Sequence, residues 1–129
     1  MSCFQNLQQH MQTLQLKGYG KEFVVDLDRQ IYELMPHGKA NIQTVSAAMC
    51  VSTSKLRRMI QNYTGITPAH YILFVRMREA LRLLSVYPKY SISTIASLCG
   101  FSDHSHFTHV FIRFFDCTPL QYVQENVCP

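Results

Sequence analysis

Two stretches of the chain, IQTVSAAMCVSTSKLRRMIQNYTGITPAHYI at residues 42–72 and ISTIASLCGFSDHSHFTHVFIRFFDCTPLQYV at residues 92–123, carry one pattern twice. At an offset of 50 residues, Ile42, Thr44 and Val45 answer to Ile92, Thr94 and Ile95, Ser46 to Ala96, Cys50 to Gly100 and Val51 to Phe101. One inserted residue then moves the offset to 51: Leu56 meets Phe107, Ile60 meets Phe111, Thr67-Pro68 meets Thr118-Pro119, and Tyr71 meets Tyr122. Neither copy is long enough to bury a core alone, so the pair implies one composite domain with a duplicated working part. Two similar surfaces at a fixed separation suit a periodic partner, and a DNA duplex is the obvious one.

The rest of the chain fits around this repeat as helices. Asn41 or Ile42 opens a short helix through Met49, and Val51-Ser52 turns. Ser52 then caps a second helix that runs to about Thr64, where Gly65 stops it. Pro68 suits the first turn of a long helix reaching Val86, with Ile72, Val75, Met77, Ala80, Leu83 and Leu84 toward the interior. On that helix Glu79 lies within pairing reach of Arg82. Upstream, Leu27, Ile31 and Leu34 share one face of an expected helix from Asp26 to Met35, which Pro36-His37-Gly38 ends. Further upstream, Phe4, Leu7, Met11 and Leu14 mark a short amphipathic helix that Lys17-Gly18-Tyr19-Gly20 breaks. With no strand signal of any length, the expected class is all-α: seven helices in the domain and one before it. The expected division is a connector helix and linker over residues 1–21 and a DNA-binding domain over 22–129. Within the latter, the helix-turn-helix units fall at about 41–65 and 91–116, joined by a helix at about 68–86.

Bulk properties narrow the class. At 129 residues and 47% apolar, the chain suits one domain with an extension. No apolar run exceeds five residues, as in Tyr71–Val75, far short of a membrane span of about 20. No secretory signal is visible, and the five scattered cysteines suggest free thiols in a reducing cytoplasm. The net charge of +4 is unevenly spread. Residues 39–90 hold eight basic residues against Glu79 (+7), residues 1–38 three against four acids (−1), and residues 91–129 one against three (−2). A basic field of that kind attracts polyanions.

The second helix of each copy is the candidate reading element. On a wheel of about 100° per residue, Leu56, Met59, Ile60 and Tyr63 form a buried face, and Ser54, Arg57, Arg58 and Gln61 point away. Two guanidinium forks suit guanine and one amide suits adenine, while Lys55 on the flank suits a phosphate. In the second copy Phe107, Val110, Phe111 and Phe114 turn inward, while Ser105, Thr108, His109 and Ile112 face out, with His104 near the start. Asp103 or Ser102 caps this helix. Its outer face is poor in charge, with Arg113 on the flank. An imidazole can still donate to a base or a phosphate, and Ile112 suits either a thymine methyl or a protein partner. His104, His106 and His109 raise a metal site as an alternative, but no carboxylate or cysteine completes a well-spaced set. No glycine-rich phosphate loop, nucleophile–base spacing or paired carboxylates mark an enzyme, and no cofactor or metal is implied.

With these residues in view, the chain resembles the DNA-binding domain of the AraC/XylS family of transcription regulators from about Asp26 to Gln124. The resemblance rests on Ser52-x-x-x-Leu56-x-Arg58, Gly65-Ile66-Thr67-Pro68, Arg76-x-x-x-Ala80-x-x-Leu83-Leu84, Ile95-Ala96-x-x-x-Gly100-Phe101-Ser102-Asp103 and Thr118-Pro119-x-x-Tyr122. It implies two helix-turn-helix subdomains, homeodomain-like, joined by a long helix, with each second helix in one of two successive major grooves. Base reading would then fall to Ser54, Arg57 and Arg58 in the first copy and to His104, Ser105, Thr108 and His109 in the second. The resemblance also implies double-stranded DNA as partner, RNA polymerase as a candidate second partner, and dimerisation through the upstream segment. Such domains often end a longer bacterial regulator, including two-component output proteins and activators. Four positions depart from the family pattern: Cys50 for a glycine in the first turn, Ile112 for a basic residue, Asp116 for a glycine and Val123 for an arginine. The rival reading is a helical protein-interaction module whose second subdomain no longer reads DNA.

Overall fold

The computed structural model describes residues 5, 6, 8, 9 and 19–126. Gln5, Asn6, Gln8 and Gln9 are helical and exposed. The apolar positions that define the expected N-terminal helix, Phe4, Leu7, Met11 and Leu14, lie outside the described residues. From residue 19 the chain forms α1 (Tyr19–Leu34), a 3-10 turn (Met35–His37), α2 (Ile42–Ala48), α3 (Thr53–Thr64), α4 (Pro68–Val86), α5 (Ile92–Leu98), α6 (His104–Phe115) and α7 (Pro119–Asn126). Among the described residues there is no strand.

The repeat is visible in the caps as well as in the lengths. α2 and α5 have seven residues each, α3 and α6 twelve each. Asn41 and Ser91 each accept a hydrogen bond from the backbone N–H three residues on, at Thr44 and Thr94. Ser52 does the same for Lys55, while Asp103 caps one residue closer, accepting from Ser105 N–H. The turn between the two helices is left-handed in both copies, at Cys50 (φ 59°) and Gly100 (φ 87°). The C-caps of α3 and α6 are left-handed too, at Gly65 (φ 75°) and Asp116 (φ 61°). Cys50 and Asp116 are the non-glycine residues with positive φ among the described residues.

α4 is the spine of the domain, packing against α1 and α3 of the first half and α5 and α7 of the second. Pro at its first position and the Thr67 cap, which accepts from His70 N–H, start it cleanly. Every inward position read from the sequence is buried, and Tyr71 and Phe74 join them. Each of the larger aliphatic and phenyl side chains among them is worth roughly 1.5–3 kcal/mol when taken from water. The cores of the two halves run into one another: α1 contributes Phe23, Leu27 and Ile31, α6 contributes Phe107, Val110, Phe111 and Phe114.

The first helix departs from expectation. It begins at Tyr19, seven residues before Asp26. Gly18 and Gly20 read as a break, but Gly20 lies buried inside the helix, a place where a missing side chain costs about 1 kcal/mol of propensity without forbidding the conformation. Phe23 explains the extension, since it stands one turn before Leu27 and two before Ile31 and is buried with them. At the other end Met35, not Leu34, is fully buried, in the 3-10 turn that contacts α5.

Candidate nucleic-acid interface

In the first copy, burial of Leu56, Ile60 and Thr64 fixes the roll of α3. The Thr64 hydroxyl spends its hydrogen bond on the Ile60 carbonyl at 2.6 Å, so its burial leaves no orphan donor. That roll leaves Ser54, Lys55, Arg57, Arg58 and Gln61 exposed on the opposite side. The ion pairs among the described residues are Arg29–Asp26, Arg78–Asp28 and Arg82–Glu79, so neither Arg57 nor Arg58 is tied to a carboxylate there.

In the second copy, burial of Phe107, Val110, Phe111 and Phe114 sets α6 in the same way. Phe107 meets Phe101 edge-on at 5.3 Å and Phe111 at 5.9 Å, and Phe111 continues to Tyr122 of α7 at 6.2 Å. His104, Ser105 and His109 are exposed and Thr108 is half-buried on the outer face. All nine residues singled out from the sequence therefore lie on the outer sides of α3 and α6. Extending the 51-residue offset along these helices pairs Ser54 with Ser105, Arg57 with Thr108, Arg58 with His109 and Gln61 with Ile112. His106 is exposed, and its ring stands edge-on to Phe101 at 5.3 Å. Among the described residues no three His, Cys, Asp or Glu side chains gather closely enough to share a metal ion.

The positive field is narrower than composition indicates. Of the eight basic residues in 39–90, Arg82 pairs with Glu79 at 2.6 Å and Arg78 with Asp28 at 3.0 Å. Asp28 also accepts from the Tyr71 hydroxyl at 2.5 Å, and Arg78 Nε donates to the Tyr32 hydroxyl at 3.2 Å. This cluster ties α1 to α4 across a partly buried seam. Burial, reinforced by Asp28, pushes the Tyr71 phenol far above its usual range. Burial pulls Arg78 down, but Asp28 and Tyr32 outweigh it, and its guanidinium ends above the ordinary value. Arg76 is also turned inward: its Nε donates to the Cys99 carbonyl at 2.8 Å and its guanidinium lies 3.9 Å from the Phe101 ring centre. Burial lowers its pKa. Arg76 and Arg78 thus hold the scaffold together. Within the basic segment, Lys39, Lys55, Arg57, Arg58 and Lys89 remain exposed with no carboxylate partner among the described residues, and three of them stand on α3. The sequence held a clue to the inward arginines in Asp28 and Tyr71, but nothing local joins residues so far apart.

The chain matches a helix-turn-helix domain family model over residues 45–125, more than half its length. It is 38% identical over 77 residues to the HTH-type transcriptional activator RhaS of Klebsiella pneumoniae, covering 60% of this chain and 27% of that protein. The C-terminal domain of AraT, a response regulator from Geobacillus stearothermophilus, has the same fold, with a TM-score of 0.74 at 23% identity over 89% of this chain and 91% of that one. The C-terminal domain of the two-component response regulator yesN from Fusobacterium nucleatum aligns with a TM-score of 0.70 at 26% identity, over 82% of this chain and 99% of the other. The chain spans about a third or less of the length of the curated relatives it matches.

Proposed function

The chain belongs to the AraC-type helix-turn-helix family of DNA-binding domains, and on that premise we propose that it is the sequence-reading part of a larger, signal-responsive transcription regulator. In this reading it sits at the C-terminal end of that regulator, acts in the cytoplasm as an activator, and receives its signal through residues 1–21. RNA polymerase is the proposed second partner, and self-association runs through the upstream segment. The observation that carries the reading is the matched pair of twelve-residue helices, α3 and α6, whose inner sides are locked in the core and whose outer sides expose hydrogen-bonding groups. α3 supplies attraction and base discrimination through Arg57, Arg58 and Gln61, with Lys55 on a phosphate; Ser54 adds an adaptable contact. α6 fixes register and adds readout through His104, Ser105, Thr108 and His109.

Selection of bound duplexes from a random pool by the full chain tests the reading. The expected site has two short preferred blocks about one helical turn (~10 bp) apart. Affinity for it should fall steeply with salt as phosphates exchange counterions. A pool that shows no enrichment, or binding insensitive to salt, defeats the reading and favours the protein-interaction module.

A further inference from the structure

We propose that Ile112 reads the 5-methyl group of a thymine in the half of the site taken by α6. This rests on the DNA-reading function above and deepens it. Three observations lead there. First, Ser105, Thr108, His109 and Ile112 follow the i, i+3, i+4, i+7 spacing that makes one stripe along a helix. Second, the internal repeat places Ile112 in the register of Gln61, which lies on the outer face of α3 beside Arg57 and Arg58. The two helices have equal lengths, matching buried faces and left-handed C-caps at equivalent positions, so the same register presents the same direction relative to its own core. Third, Ile112 keeps 39% of its surface exposed, and of the large apolar side chains exposed among the described residues it alone stands on α3 or α6.

The chemistry then selects the target. In the major groove a base pair offers donors, acceptors or, at thymine alone, a methyl group. A branched aliphatic side chain has nothing to give the first two and gains by covering the third. A protein partner fits less well. Interfaces draw on contiguous apolar patches of several hundred Å², whereas the side chains one turn from Ile112 are Thr108, His109, Asp116 and the half-buried Phe115, which leave little exposed apolar surface around it.

Replacing each thymine of the selected duplex in turn by deoxyuridine removes one methyl and leaves every hydrogen-bonding group in place. At one position in the α6 half, uracil should weaken binding of the full chain about three- to fivefold, the size of one methyl buried. Ile112→Ala, an exposed substitution, should bind the thymine duplex more weakly and no longer distinguish it from the uracil one, with its salt dependence unchanged. Indifference of the unaltered chain to every replacement in that half overturns the assignment, as does discrimination that survives in Ile112→Ala. Failure to select any duplex would instead sink the DNA-reading function and the assignment with it, so the two failures are distinguishable.

Discussion

At the turn of the first copy Cys50 stands exposed at φ 59°, free of the core; at the equivalent turn of the second copy Gly100 stands at φ 87° beneath the Met35 carbonyl. A Cβ added at Gly100 would come within 2.6 Å of that backbone oxygen. The Arg76 guanidinium adds to the enclosure, 3.5 Å from the same added Cβ, while its Nε bonds the Cys99 carbonyl and it covers Phe101. Two turns of the same shape thus differ in what surrounds them. The first needs only a left-handed residue, and a side chain can be tolerated there at some strain. The second is the joint through which the first subdomain, the spine helix and the second subdomain meet, and it has no room for a side chain at all. Cys99-Gly100-Phe101 is therefore a tightly enclosed joint between the two subdomains.

The largest effect should come from testing that joint. Gly100→Ala combines left-handed strain with a clash against main chain, and should cost roughly 2–4 kcal/mol of folding stability. Cys50→Ala keeps the same backbone conformation and removes only an exposed thiol, so it should stay within about 0.5 kcal/mol of the parent. Equal losses at the two sites, measured by chemical denaturation, would show that the second turn is no more constrained than the first.

The outer faces of the two copies differ in a second way. Arg58 offers a bidentate fork where His109, in the same register, offers an imidazole with no such geometry. Arg58→Ala should cost about 1–3 kcal/mol of affinity on the selected duplex. His109→Ala should cost about 0.5–1.5 kcal/mol, as for one ordinary hydrogen bond. Titration of both variants against that duplex decides it. If His109 matters as much as Arg58, the division into a first copy that does most of the discriminating and a second that fixes register and adds readout falls.

Much of this was legible in the chain because helix signals are local. Ser52, Gly65, Thr67-Pro68, Ser91 and Asp103 each announce a boundary through a bond made within a few residues, and the repeat doubled every signal. Burial of the heptad-like positions of α4 and α6 followed from period alone. What escaped was non-local. Phe23 extends α1 because it reaches the core beside Leu27 and Ile31, a tertiary reward that overrides Gly20. Arg76 and Arg78 counted as surface charge until Cys99, Phe101 and Asp28 were brought to them by the fold. Charge totals for a segment cannot tell a free arginine from one that holds two helices together.

The smallest effects probe an exchange between the copies: the first has a side chain at its turn and glycine at its C-cap, the second glycine at its turn and a side chain at its C-cap. Cys50→Gly removes left-handed strain worth roughly 1–2 kcal/mol and gives back about 0.4–1 kcal/mol through a freer unfolded chain. A net gain of about 0.5–1 kcal/mol should remain, and salt should not change it, because no charge is involved. Asp116 differs, since a short polar side chain visits this region at little cost, leaving scant strain to relieve. Its carboxylate, however, sits at the carbonyl end of α6, where negative charge is unfavourable by about 0.3–1 kcal/mol at low ionic strength. Asp116→Asn preserves the backbone preference and deletes the charge, so it should stabilise by a few tenths of a kcal/mol in dilute buffer and by nothing measurable at high salt. Melting both variants at two ionic strengths separates the cases: a salt-sensitive gain at Cys50, or a salt-insensitive one at Asp116, would mean that strain and charge are not divided between the copies as these residue types indicate.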